Sequence, residues 1–452
     1  MGNRNSNWML VAFGMIGTSL SGVTFVSVPG TVGDFSGDSF KGFAYFQVVI
    51  GYWIGYFVVA FILLPLYYRL QLTSIYNYLQ TRFGIVAYRT GALFFIISRT
   101  VGATARLYLV INVLQVFILD AIGIPFGITA LVILLMILLY TFEGGVKTIV
   151  YTDTLQTTFM LLGLIICILY ILPQLNGSDI VRELDQKGYT RLFNTDLQSK
   201  GFFLKQIVGG MFITIAMTGL DQEMMQKNIS VRNLRDSQKN MMLFSGIMVL
   251  VNLLFLLLGG LLYLYVQNQG AHYDQHQLLL HGKNVIGDDL FPTVALQFLP
   301  RAIGVIFIIG LISALFPSAD GALTALTSSF CIDLLNLKKA GKTEQEKKRI
   351  RMTVHISFAF VFLLCILLFK WINNKSIINI ILDLAGYTYG PLLGLFAFGI
   401  FSKRTLPQTW AITFVCLLAP LLCYFISKHA ANWFHGFQIG IELLMLNGLL
   451  TY

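Results

Sequence analysis

The chain has 452 residues, of which 56% are hydrophobic and only 12% charged, and its mean hydropathy is +0.74. A soluble domain carries roughly 25% charged residues; so few charges cannot coat a water-facing surface, and soluble classes are excluded. The net charge of +10 reads as enrichment of Lys and Arg in cytoplasmic loops rather than as a nucleic-acid footprint.

Apolar blocks of about 20 residues are long enough to cross a hydrocarbon core of about 30 Å as helix. They predict an all-α, multi-pass membrane protein with the lipid bilayer as its first partner. Twelve spans are expected, over 8–30, 42–68, 90–118, 124–142, 148–172, 202–226, 241–266, 300–334, 352–372, 376–401, 407–427 and 432–452. The eighth is too long for one simple span and is expected to project beyond the bilayer. Arg4, Arg69, Arg82, Arg89, Lys147, Lys227, Arg232, Lys403 and the run Lys338 to Arg351 fall on one side of this topology. That bias predicts both termini cytoplasmic in the plasma (cytoplasmic) membrane. No cleavable signal peptide is visible, and 173–200 and 267–299 read as polar outside connectors. Cys167, Cys331, Cys365, Cys416 and Cys423 lie in or beside apolar blocks without CxxC spacing, as small core residues do.

In chain order, the first span holds Gly14, Gly17, Thr18, Ser19, Ser21, Gly22, Thr24, Pro29 and Gly30. Such density either breaks a helix, freeing carbonyls that suit a hard cation such as Na+, or packs helices closely through small residues. The third span carries Arg99 and Arg106 on one face, and the fifth carries Asp153, which either serves a site or snorkels to the inner interface. The sixth contains Thr214, Thr218, Gly219 and Asp221, five helices after the first; inverted repeats that each start with a broken helix have that spacing. In the eighth, Pro317 removes a backbone hydrogen bond, and Asp320 is a costly charge in an apolar helix. Pro317, Asp320, Thr324, Thr327 and Ser328 share one face there. Asp383 lies in the tenth span, where it either pairs with Arg106 or faces a solute.

Five stretches, in this order, resemble the sodium:solute symporter family: Gly17-Thr-Ser-Leu-Ser-Gly-Val-Thr-Phe-Val-Ser-Val-Pro-Gly30, Gly144-Gly-Val-Lys-Thr-Ile-Val-Tyr-Thr-Asp-Thr-Leu-Gln156, Thr218-Gly-Leu-Asp-Gln222, the segment from Ser313 to Asp333, and Tyr389-Gly-Pro-Leu-Leu-Gly394. The resemblance spans most of the chain. It implies a LeuT-type fold with a five-plus-five inverted repeat. As one transporter domain over 1–452, it divides into a first repeat 8–172, a second 201–401 and two further helices in 407–452. Family members carry an extra helix ahead of the first core helix, and this chain begins inside that connector.

The resemblance further implies Na+ as coupling ion, held by the backbone of Gly17, Leu20, Ala314 and Pro317 and the hydroxyl of Ser318. The family usually has a hydroxyl residue where Pro317 stands. Asp153 and Asp320 are the implied second cation site or exit path. Thr24, Phe25, Arg106 and Asp383 are the candidates for the solute cavity. The expected activity is sodium-coupled import of a small polar or anionic solute (a sugar, sialic acid, carboxylate or similar) by alternating access. The competing readings are a proton-coupled carrier of the same fold and a non-transporting solute sensor or receptor. An enzyme is not expected, because HExxH, GxSxG and nucleotide-loop motifs are missing, and no required protein partner is implied.

Overall fold

The computed structural model describes residues 7–33, 42–72, 74–143, 146–175, 179–274, 277–337, 341–372, 377–406 and 409–452. Arg4, the pair Gly144-Gly145 of the family-like segment and 338–340 of the basic loop lie outside the described residues, as do the side chains of Lys147 and Tyr151.

Helices follow the expected apolar blocks closely. They are α1 (Trp8–Ser19) and α2 (Gly22–Gly30), α3 (Tyr45–Leu70), α4 (Ile85–Ile122), α5 (Phe126–Glu143), α6 (Val146–Ile171), α7 (Phe203–Gly219) and α8 (Gln222–Ile229). There follow α9 (Leu234–Asn268), α10 (Arg301–Leu334), α11 (Glu344–Ile372), α12 (Ile377–Thr388) and α13 (Gly390–Phe401), α14 (Ala411–Trp433) and α15 (Leu443–Thr451). Three pairs are single spans broken in the middle: α1–α2 bends by 57°, α7–α8 by 66° and α12–α13 by 47°. The first two breaks match the expectation for spans one and six. The third was expected as one helix over 376–401; Pro391 sits in the first turn of α13, and proline starts a helix more readily than it continues one. The twelfth span is also shorter than expected. α15 has nine residues and rises only about 13 Å, less than half the hydrocarbon thickness.

α9 and α10 form the centre: 67% and 61% of their most apolar stretches are buried, against 22% for α11 and α14. On those two outer helices Phe360, Leu364, Phe414 and Leu421 are exposed, as lipid-facing side chains are. Small residues set the tightest contact, between α3 and α7. A Cβ at Gly55 would lie 2.6 Å from the Met211 carbonyl oxygen, and one at Gly210 would lie 2.5 Å from that of Val48. Backbones approach this closely only where side chains are missing.

The connector 267–299 is more ordered than a polar loop. It forms a small antiparallel sheet of β1 (His272–Asp274), β2 (Gln277–Leu280) and β3 (Lys283–Asn284), with His272 opposite Leu279 and Leu280 opposite Lys283. Leu278 and Leu280 are buried beneath it.

Candidate functional site

Both early breaks are built by their own sequence. α1 ends where Leu20 turns extended (φ −82°, ψ 95°), and Ser21 caps α2, its Oγ accepting from the Val23 N–H at 3.3 Å. Neither the Ser21 N–H nor the Thr24 N–H closes the regular turn back to the carbonyls of Gly17 and Leu20. Those two oxygens leave the helical ladder, as the helix-break reading of this stretch requires. In the second break, Asp221 Oδ1 accepts from the N–H groups of Glu223 (2.9 Å) and Met224 (3.1 Å), an N-cap for α8. Tyr67 and Tyr76 hold the other side by donating to the carbonyls of Gly219 (2.8 Å) and Leu220 (3.0 Å).

The structure brings Gly17 against α10. A Cβ on Gly17 would sit 3.6 Å from Pro317 Cβ and 3.2 Å from the Asp153 carbonyl oxygen, and would overlap Thr157 Oγ1. Gly17, Leu20, Ala314, Pro317 and Ser318 are all buried. Ser318 Oγ donates to the Leu315 carbonyl at 2.9 Å, which leaves its lone pairs free for a cation. Pro317 lies inside α10, and its missing N–H releases the carbonyl four residues back, that of Ser313. The α1 break, the Pro317 turn of α10 and the start of α6 therefore meet at one point.

Beside it runs a buried chain of charges. Arg99 (α4) forms a close ion pair with Glu223 and lies 3.7 Å from Asp221. Glu223 Oε1 is 3.5 Å from Lys227 Nζ, one turn along α8. Lys227 Nζ donates to Asp153 Oδ2 at 2.8 Å and to Thr18 Oγ1 at 2.5 Å. Glu223 also reaches α10, where its carboxylate fills the space a side chain on Gly321 would need. Asp320, next to Gly321, is completely buried; its Oδ1 accepts from the Gly321 N–H. Asp320 Oδ2 and Asp153 Oδ1 have no hydrogen-bond partner among the described residues.

Lys227 corrects the sequence reading, which counted it among the inside-loop cations. It is 4% exposed and belongs to the interior. The expected sixth span stopped at residue 226, one residue short, because a lysine looks like a span end. The Glu223–Lys227 spacing of four was the available signal, since such residues face each other on a helix.

A cavity of about 110 Å³ opens between the two breaks. Thr18, Ser21 and Thr24 line it from the first break and Thr214 and Thr218 from the second, with Tyr45, Tyr52 and Tyr56 of α3, Arg99 and Arg106 of α4, and Asn252 of α9. Of the four solute-cavity candidates, Thr24 and Arg106 line this cavity. Phe25 does not: it is fully buried among Phe255, Phe291 and Phe307. Val23 and Thr24 line the cavity, while Phe25, about 100° further round the helix, turns into the aromatic cluster. Asp383 is exposed on α12 and does not line the cavity, whereas its neighbour Leu382 does. Of the two readings of Asp383, the pair with Arg106 does not form, and Arg106 has no hydrogen bond or ion pair to any described residue. The three tyrosines and Asn252 were not anticipated, because α3 and α9 carry no break that marks them.

Comparison with known proteins places this geometry. The model of the sodium:solute symporter family matches residues 1–409. A sodium/sialic acid symporter of Proteus mirabilis is 22% identical, over 100% of this chain and 88% of its own length. The human sodium-coupled monocarboxylate transporter 1 is 25% identical, over 88% of this chain and 63% of its own. Among solved structures, a substrate-bound, outward-open Na+-coupled sialic acid symporter superposes with a TM-score of 0.80 at 19% identity, covering 99% of this chain and 88% of its own. The nucleobase-cation-symport transporter Mhp1 shares the fold, with a TM-score of 0.59 at 13% identity, covering 99% of this chain and 91% of its own. The chain belongs to the sodium:solute symporter family, multi-pass membrane transporters that couple solute movement to Na+.

Proposed function

We propose that the chain imports a small anionic solute bearing a carboxylate, together with Na+, by alternating access. The observation that carries this reading is Arg106, a cation lining the cavity with no partner among the described residues. Arg99, the other cation there, is already matched by Glu223 and Asp221, and no carboxylate among the described residues lines the cavity. A guanidinium presents two parallel N–H groups that fit a carboxylate. The position of Asp383 outside the cavity supports an anionic over a cationic solute. Tyr45, Tyr52, Thr214 and Asn252 supply hydroxyl and amide groups for the remainder of a polar solute.

The carbonyls of Gly17, Leu20, Ala314 and Pro317 and the Ser318 hydroxyl are the Na+ ligands in this reading. An all-oxygen set of this kind suits a hard monovalent cation. Thr18 and Ser21 belong to the same break and line the cavity, so a cation at the break stiffens the wall that the solute contacts. Asp153 and Asp320 form an anionic station next to this site. Residues 8–172 and 201–401 act as the two inverted halves, with 407–452 appended. The charge bias of the loops supports a topology with both termini cytoplasmic in a plasma membrane. A monovalent carboxylate entering with one Na+ moves no net charge, so the inward Na+ concentration gradient, rather than the membrane potential, supplies the driving force.

The test is uptake of labelled N-acetylneuraminate, pantothenate and pyruvate into proteoliposomes. Uptake of one of these carboxylates is expected under an inward Na+ gradient and not under an equal choline gradient. Uptake that follows a pH gradient and ignores Na+ would assign the chain to proton coupling, and binding without uptake would make it a sensor.

A further inference from the structure

Every element around Asp153 is arranged for a cation, and the structure already puts one there. Lys227 Nζ lies 2.8 Å from Asp153 Oδ2, 2.5 Å from Thr18 Oγ1 and 3.5 Å from Glu223 Oε1, and Lys227 is 4% exposed. Two carboxylate oxygens, one hydroxyl and a position beside Gly17 make the surroundings that a small metal cation would have. An ammonium meets them with its three donors. Lys227 stands on α8, the second half of the second broken span, so its charge is attached to the element that borders both the cavity and the Na+ site.

We infer that the Lys227 ammonium is a tethered second cation: it occupies the Asp153 station permanently, and the chain binds a single Na+, at the α1–α10 site. This inference rests on the Na+-coupled reading above. A structural ion pair alone would not need the ammonium to reach across to Thr18 in the α1 break, one residue from Gly17. A tethered charge cannot leave with the solute, so the second station contributes electrostatics to each cycle without contributing an ion. Asp153 Oδ1 and Asp320 Oδ2 are buried with no hydrogen-bond partner among the described residues, and in this inference they are oxygens that a free ion could recruit if the lysine were removed.

The experiment counts Na+ bound per chain in purified protein by radiolabelled 22Na+ binding, with melting temperature followed in NaCl and in choline chloride at equal ionic strength. The wild type is expected to bind one Na+. Lys227→Ser opens the station and supplies an oxygen; it is expected to bind two, and to gain more stability from NaCl than from choline chloride. Asp153→Asn is expected to keep one. A wild type that binds two overturns the tethered cation, as does a folded Lys227→Ser that stays at one and responds equally to both salts, or an Asp153→Asn that falls to none. A wild type that binds no Na+ overturns the Na+-coupled reading itself, and so is distinguishable from failure of the inference alone. The wild-type and Asp153→Asn counts decide the matter even if Lys227→Ser does not fold.

Discussion

Glu223→Ala is expected to be the most damaging single substitution in the interior. Glu223 holds Arg99 on one side and Lys227 on the other, and all three are buried. Removing one partner of a buried pair leaves an uncompensated charge and costs about 3–5 kcal/mol. Here two bases lose a carboxylate at once, although Arg99 keeps Asp221 and Lys227 keeps Asp153. The expected loss is therefore in that range rather than double it, about two to three and a half decades in the folded ratio. Melting followed by size-exclusion profile in detergent reads it directly. A Glu223→Ala protein that melts with the wild type would mean that the chain of charges does not hold α4, α8 and α10 together.

Arg106→Gln should do the opposite: fold normally and lose the solute. Arg106 has no partner among the described residues, so no folded contact breaks. A hydrogen bond to a charged group contributes roughly 1.5–3 kcal/mol, which corresponds to about 10- to 100-fold in affinity. Titration of the transported carboxylate should show a weakening of that size, with Na+ binding retained. Arg106→Lys is expected to recover only part of it, because an ammonium cannot make the planar two-point contact. Unchanged affinity in Arg106→Gln would remove the argument for an anionic solute.

The parts of the fold legible in the sequence are those written in local chemistry. Gly17, Ser21 and Gly22 mark the first break because a helix cannot run smoothly through such residues with a serine cap waiting; Asp221 marks the second in the same way. Gly390-Pro391 carried an equally local signal for the third break, which the long apolar block around it obscured. What was not legible depends on which way a side chain points. Thr24 and Phe25 are adjacent, and only packing against Phe255, Phe291 and Phe307 decides that the phenylalanine turns away from the cavity. Asp383 and Arg106 were linked by their charges, whereas the fold separates them. Lys227 and Asp153 are 74 positions apart, and nothing local in either segment announces the other. The tyrosines of α3 line the cavity, and Gly51 and Gly55 bring that helix against α7, a contact between backbones that composition alone does not reveal.

Na+ bound at the α1 break and the Pro317 turn of α10 is proposed to complete the solute cavity. Equilibrium binding of the transported carboxylate, with Na+ and with choline in its place, tests it most directly in the wild type and in Ser318→Ala. A ligand can bias a conformational equilibrium only by its differential affinity for the two states, so coupling of about 1–3 kcal/mol should appear as a roughly 5- to 150-fold tightening. That tightening is expected in the wild type and is expected to be lost in Ser318→Ala, which lacks the hydroxyl proposed as a Na+ ligand. Equal solute affinity in Na+ and in choline for the wild-type protein would contradict it.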